Sequence, residues 1–155
     1  MEKMSNDKQL VDKLERYCAY QERCRQEVKL KLRQLGEADE AAQQRIVAQL
    51  ERNNFLDEKR FARAFALDKF NLHGWGKVKI ARALKEKGIA EHLTAYALDE
   101  INPRAYEQML KKLLQKKERE LRGEKDIFKK KGKLAGFLIG KGYEADVVWG
   151  LVEEE

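Results

Sequence analysis

An all-α fold, built as an elongated, curved tandem array of three three-helix modules, is what this sequence predicts, and three observations carry the prediction. The chain of 155 residues holds a single proline and is rich in Lys, Glu, Leu, Ala and Arg, which favour helix. Its apolar residues recur at three- and four-residue steps, with no strand-like alternation. The third observation is a repeat: an apolar helix stripe closed by a glycine occurs three times. A shift of 52 positions sets Val28, Leu32 and Gly36 on Ile80, Leu84 and Gly88. A shift of 54 sets Ile80, Ala81, Leu84, Gly88 and Leu93 on Leu134, Ala135, Leu138, Gly142 and Val147. A unit that returns in this way marks a tandem array. Units this small sit near the lower limit for independent folding, so neighbours must lean on each other. The expected modules are residues 1–56, 57–102 and 103–155.

In the first module a helix over about residues 6–17 turns Leu10, Val11 and Leu14 inward. A second begins near Glu22, carries Val28, Leu32 and Leu35 on one side and halts at Gly36. A third occupies about Asp39 to Asn53, with Ile46, Val47 and Leu50 as its stripe. The central module opens on Asp57, a good N-cap, and a helix from Glu58 to Leu72 bearing Phe61, Ala62, Phe65, Ala66, Phe70 and Leu72. Gly74 and Gly76 break the periodicity. The helix from Lys77 to Lys87 follows, with Ile80, Ala81 and Leu84 on one side and Lys79, Arg82 and Glu86 roughly opposite. Gly88 stops it, as a left-handed C-cap would, and a third helix runs from about Glu91 to Ile101 with Leu93, Tyr96, Ala97 and Ile101 as its apolar residues. Asn102 and Pro103 open a long helix to about Leu121. It carries Tyr106, Met109, Leu110, Leu113 and Leu114. After the charged connection RGEKD, the segment from Lys130 onward supplies two more helices. Trp149, opposite Ala95 in the repeat, is expected in the core or between modules.

Composition narrows the function. With 43% hydrophobic and 39% charged residues the surface is very polar. No run of about 18 apolar residues is present, so no membrane span is expected. The polar start MEKMSNDKQ is not a secretory signal, and a cytoplasmic protein is the expectation. Cys18 and Cys24 read as two small buried or half-buried side chains, with redox or metal chemistry as the alternative. His73 and His92 belong to no catalytic grouping. There is no phosphate-cradling GxxxxGKS loop, no HExxH, no CxxC pair and no Ser, His and Asp arrangement. The numerous carboxylates alternate with Lys and Arg along helical faces, as surface ion pairs do. The expectation is therefore a non-enzyme with no cofactor and no metal.

The net charge of +6 is unevenly placed. Residues 1–56 hold 11 basic and 10 acidic groups and residues 57–101 hold 9 and 7, whereas residues 102–142 hold 13 and 5. The last 13 residues hold no basic group and 5 acidic ones, ending in Glu153, Glu154 and Glu155. The basic side of the repeated second helices is the first candidate surface: Arg25, Lys29 and Arg33; Lys77, Lys79, Arg82 and Lys85; and Lys129, Lys130, Lys131 and Lys133. With repeats in register these form a stripe suited to phosphates or to an acidic protein groove; taken singly, each is a solvated helix face. Trp75, between Gly74 and Gly76, either docks on a partner or a base, or plugs a junction between helices. Lys111, Lys112, Lys116, Lys117, Arg119 and Arg122 on the long helix offer a further binding surface or a solvated face.

The run FLDEKRFARAF, followed by GWGKVKIARALKEKGI, resembles the signature of the RecX family of recombinase regulators, and the resemblance extends to YCAYQERCRQEVKLKLRQLG and to LAGFLIGKGYEADVV. It implies tandem three-helix modules that bind RecA and its filament on single-stranded DNA, in the filament groove or at its growing end. It further implies lowered ATP turnover, strand exchange and coprotease activity in recombination, DNA repair and the SOS response. On this reading Arg60 and Arg63, Trp75 and the stripe from Lys77 to Lys85 contribute to partner binding, and the protein works as a monomer. The rival reading is a helical module that binds DNA or RNA directly.

Overall fold

The computed structural model describes residues 2–154, with side chains described from residue 7 onward. Its elements are α1 (Glu2–Tyr20), α2 (Arg25–Gln34), α3 (Glu40–Arg52), α4 (Glu58–His73), α5 (Lys77–Glu86), α6 (Glu91–Asp99), α7 (Pro103–Glu120), α8 (Ile127–Gly140) and α9 (Ala145–Glu154). There is no strand among the described residues. The helix ends follow local chemistry. Asp57 accepts from the N–H groups of Lys59 at 2.9 Å and Arg60 at 3.2 Å, Asp39 caps α3 through Ala42, and Asn102 caps α7 just ahead of Pro103. Each second helix of a unit stops at a glycine with positive φ: Gly36 at 94°, Gly88 at 77° and Gly142 at 102°.

Helix packing falls into three groups, α1 to α3, α4 to α6 and α7 to α9. Each group has its own apolar centre. Val11, Leu14, Val28, Leu32, Ile46 and Leu50 fill the first. The second is filled by Phe61, Phe70, Ile80, Leu84 and Ile101, and the third by Leu110, Leu114, Leu134, Leu138, Tyr143 and Val148. The centres are not sealed from one another. Cys24, at the start of α2, is buried in the second, and Tyr106 and Met109 of α7 pack against both the second and the third.

Several expectations need correction. Leu72 is 75% exposed, because α4 turns it away from the stripe of Phe61, Ala62, Ala66 and Phe70. Trp149 is 41% exposed and lies outside the core; Val148 and Val152 are the buried residues of α9. Tyr96 is also 40% exposed, with the Lys59 ammonium 4.1 Å from its ring centre. Helix α1 continues to Tyr20, and α2 starts at Arg25 rather than near Glu22, since Glu27 reaches back to the N–H of Cys24 at 3.1 Å and sets the start there. Helix α8 starts at Ile127, a turn earlier than the repeat suggests, because Asp126 caps it through Phe128 and Lys129.

Two joints link the three groups, and they differ in kind. The first is polar. Glu58 accepts from the Arg25 N–H at 3.0 Å, Arg60 pairs with Glu22 at 3.1 Å, Lys87 pairs with Glu27 at 3.2 Å, and Gln26 donates to the Glu86 carbonyl at 3.1 Å. The second joint is backbone on backbone. The Gly76 N–H donates to the Lys141 carbonyl at 2.8 Å, and the Val78 N–H donates to the Gly142 carbonyl at 2.9 Å. A Cβ on Gly76 would stand 2.3 Å from the Gly142 carbonyl carbon, and one on Gly142 would stand 2.3 Å from the Lys79 Cβ. Tyr143 donates to the Gly74 carbonyl at 3.0 Å, and Tyr106 accepts from the Lys77 N–H at 2.9 Å while donating to Glu144.

Gly76→Ala is expected to lower stability by about 2–3 kcal/mol, since φ there is unstrained and the whole cost is steric overlap with backbone that has nowhere to go. Gly88→Ala meets open space and loses only about 1 kcal/mol for its positive φ. Urea unfolding of the two variants checks the order. Cys18 and Cys24 are buried, and burial pushes both thiols up to about 11, so each stays protonated through the neutral range. A thiol reagent at pH about 8 should label them roughly 100-fold more slowly than a free thiol, with full labelling only after unfolding.

Candidate functional site

Helix α5 buries Ile80 and Leu84, which turns Lys79, Arg82 and Lys85 outward. No carboxylate among the described residues pairs with Lys77, Lys79, Arg82 or Lys85. Arg82 and Lys85 are exposed. Lys77 is half-buried, its ammonium 5.0 Å from the Tyr106 ring centre. The Lys79 ammonium lies 4.3 Å from the centre of Trp75.

Trp75 is held between Gly74, in the left-handed conformation at the end of α4, and Gly76, the N-cap of α5. Phe65 meets it edge-on at 6.5 Å, and the Lys69 and Lys79 ammoniums lie over its ring. A half-buried indole in these contacts serves as a plug and as a pedestal for two cations. A base would have to displace a lysine to stack on it.

The basic stripe is not continuous. In the first group Arg25 is tied to Glu51 at 2.8 Å and Lys29 to Glu40 at 3.2 Å. In the third group Lys133 pairs with Glu124 at 2.9 Å, which together with the Asp126 N–H holds the Glu124 carboxyl below the ordinary range. Lys131 lies 3.9 Å from Glu153, so the acidic end folds back on this group; Glu155 lies outside the described residues. Lys129 and Lys130 have no carboxylate partner among the described residues. Arg60 and Arg63 are engaged elsewhere. The Arg60 guanidinium pairs with Glu22 and donates to the Asn54 side chain at 2.8 Å and the Asn54 carbonyl at 3.1 Å, while Arg63 lies 3.8 Å from Glu100. The structure leaves the α5 cations without carboxylate partners, and beside the second joint it adds Lys69 and Lys141, which sequence reasoning missed. The available signal was the repeat shift that sets Lys87 on Lys141. Among the described residues no group of three or more His, Cys, Asp or Glu stands together as a metal site.

Comparison with known proteins places this arrangement. The family descriptions "RecX, second three-helix domain" and "RecX, third three-helix domain" match residues 57–98 and 105–152. The regulatory protein RecX of Clostridium botulinum (strain Alaska E43 / Type E3) is 33% identical over 117 residues, 75% of this chain and 54% of that protein. The regulatory protein RecX of Prosthecochloris aestuarii is 29% identical over 138 residues, covering 89% of this chain and 87% of that one. This chain spans about half the length of the clostridial relatives it matches first. In fold it is similar to a crystal structure of regulatory protein RecX, with TM-score 0.87, 22% identity, and 99% of this chain and 74% of that one covered. It is likewise similar to the crystal structure of RecX from Lactobacillus salivarius, with TM-score 0.84, 22% identity and 97% of both chains covered.

Two arginines separate structural from outward-facing charge. Arg60→Ala should cost about 1–2 kcal/mol, because it leaves Glu22 and the Asn54 carbonyl without their donor. Arg82→Ala should stay within about 0.5 kcal/mol of the parent. Thermal unfolding of both variants tests the distinction.

Proposed function

This chain belongs to the RecX family, and from that premise we propose that it is a non-enzymatic regulator of RecA. It binds RecA and its filament on single-stranded DNA and lowers ATPase, strand-exchange and coprotease activity by lying in the filament groove or capping its end. It acts as a monomer in the cytoplasm, in recombination, DNA repair and the SOS response. Its three modules, residues 1–56, 57–102 and 103–155, supply successive contacts along the filament.

The observation that carries this reading is the set of cations left without carboxylates on α5: Lys77, Lys79, Arg82 and Lys85. Elsewhere on the chain the equivalent groups are largely neutralised, as Arg25, Lys29 and Lys133 are. An ion pair costs little to make on a surface crowded with carboxylates, so a helix that lacks one presents its charge to something else. Tandem units let several weak contacts act together, and avidity then exceeds any single one by orders of magnitude. Inhibition by occupancy needs no chemistry from the regulator. Lys129 and Lys130 offer further cations on the third module, whereas Arg60 and Arg63 act at one remove by holding their helices in place.

The same unpaired cations favour a second reading, direct binding of DNA or RNA by the helical array. The two separate on salt and on RecA. A module that neutralises about six phosphates loses roughly 10³ in affinity between about 50 and 200 mM salt, with or without the recombinase.

RecA-dependent ATP hydrolysis on single-stranded DNA should fall as this protein is added. Exchanging Lys79, Arg82 and Lys85 together for Glu should remove that inhibition with helicity unchanged by circular dichroism. Inhibition that survives the triple exchange rejects the assignment to α5.

A further inference from the structure

Helix α4 has a second apolar side besides the one its own core uses. Ala62, Ala66 and Phe70 are buried in the second group, whereas Phe61, Ala64, Phe65, Asp68 and Leu72 recur at three- and four-residue steps and share another side. These five line a cleft of about 580 Å³ along the first joint, with Gln21, Glu22 and Glu27 of the first group and Lys87 after α5 among its other walls. Phe65 is half-buried, held by Phe61 at 5.7 Å and by the edge of Trp75 at 6.5 Å, so its ring serves as an apolar floor. Leu72 stands exposed beyond it.

The charges of the cleft say what fits there. Glu22 is tied to Arg60 and Glu27 to Lys87, and the Lys69 ammonium rests 5.4 Å from the centre of Phe65 and 4.9 Å from that of Trp75. Asp68 is exposed and has no cationic partner among the described residues. Three carboxylates against two lysines line the cleft, so it repels phosphate, unlike α5. A carboxylate set between an aromatic floor and an exposed leucine matches a cation flanked by apolar groups. From Phe61 to Leu72 the helix rises about 16 Å, more than a small ligand covers and about the length of a two- to three-turn helix. We propose that this cleft docks a short amphipathic helix of a RecA subunit, one with apolar side chains at helical spacing and a Lys or Arg beside them for Asp68. The assignment rests on the reading of this chain as a RecA regulator and gives that regulator a protein-facing surface separate from the cations of α5.

The test uses the full chain with RecA assembled on oligothymidylate and reads ATP hydrolysis. Leu72→Gln removes an exposed apolar anchor and Asp68→Lys reverses the unpaired charge, so neither variant touches the core. Each should raise the concentration for half-inhibition roughly ten-fold, with an unchanged unfolding temperature. Asp68→Glu should inhibit as the parent does. Asp12→Lys, the same charge change on α1 and outside the cleft, should also leave inhibition intact. Stronger inhibition by Asp68→Lys would place phosphate in the cleft and overturn the proposal. Exposed Ile127 and Phe128, followed by Lys129 and Lys130, give a second copy of this chain similar chemistry, so sedimentation of the parent belongs to the test. Concentration-dependent self-association that Leu72→Gln abolishes assigns the cleft to that copy and likewise overturns the proposal. A parent that does not inhibit RecA removes the premise; a parent that inhibits no better than Leu72→Gln and Asp68→Lys overturns the cleft alone.

Discussion

The contact on which the rest of this molecule depends is the approach of Gly76 to Gly142. At that point two peptide backbones meet with no room for a single carbon atom between them, and two N–H groups of the second unit find carbonyls in the third. The start of α5 would otherwise leave donors without an acceptor, since Gly76 offers no side-chain cap. Here the neighbouring unit is the cap. Tyr106 and Tyr143, their rings 5.1 Å apart, close the joint from the inside with hydrogen bonds to Lys77 and Gly74. Position 76 must therefore be glycine for space, and position 142 for both space and its positive φ.

The contrast with the first joint shows what this contact makes possible. There the units are held by side-chain ion pairs and by Cys24 reaching into the next core. Exposed ion pairs contribute little each, and salt screens them. A joint so made must keep its charges matched. The second joint is held by backbone hydrogen bonds and ring packing, which makes no demand on the charge of the surrounding side chains. Lys69, Lys79 and Lys141 can gather there without opening it. The field of the central and third units and the way those units are fastened are thus two aspects of one arrangement.

The proposed regulation by occupancy calls for an extended shape, defined spacing between contacts and charges left free for a partner. The three-group array meets the first through local cores of modest size. The second comes from joints that are built rather than floppy. The third comes from α5, whose core face of Ile80 and Leu84 leaves the other side to cations.

What the chain reveals on its own is local. Helix periodicity, the Asp57 cap and the stops at Gly36, Gly88 and Gly142 were legible because each depends on residues within a few positions of one another. The triplicate plan was legible for the same reason, since it is a local pattern repeated. Tertiary structure decided the rest. Trp149 obeys the apolar period yet is 41% exposed, and Leu72 lies off the face that α4 buries. Arg60 and Arg63 look like free charge in a signature motif, but their partners Glu22 and Glu100 lie on other helices. Lys141 acquires its place from His73, 68 residues away, and Tyr143 from Gly74, 69 residues away. Periodicity carries no information across such separations, because it reports which face of a helix is buried and not which neighbour buries it. That neighbour is chosen only when the units dock.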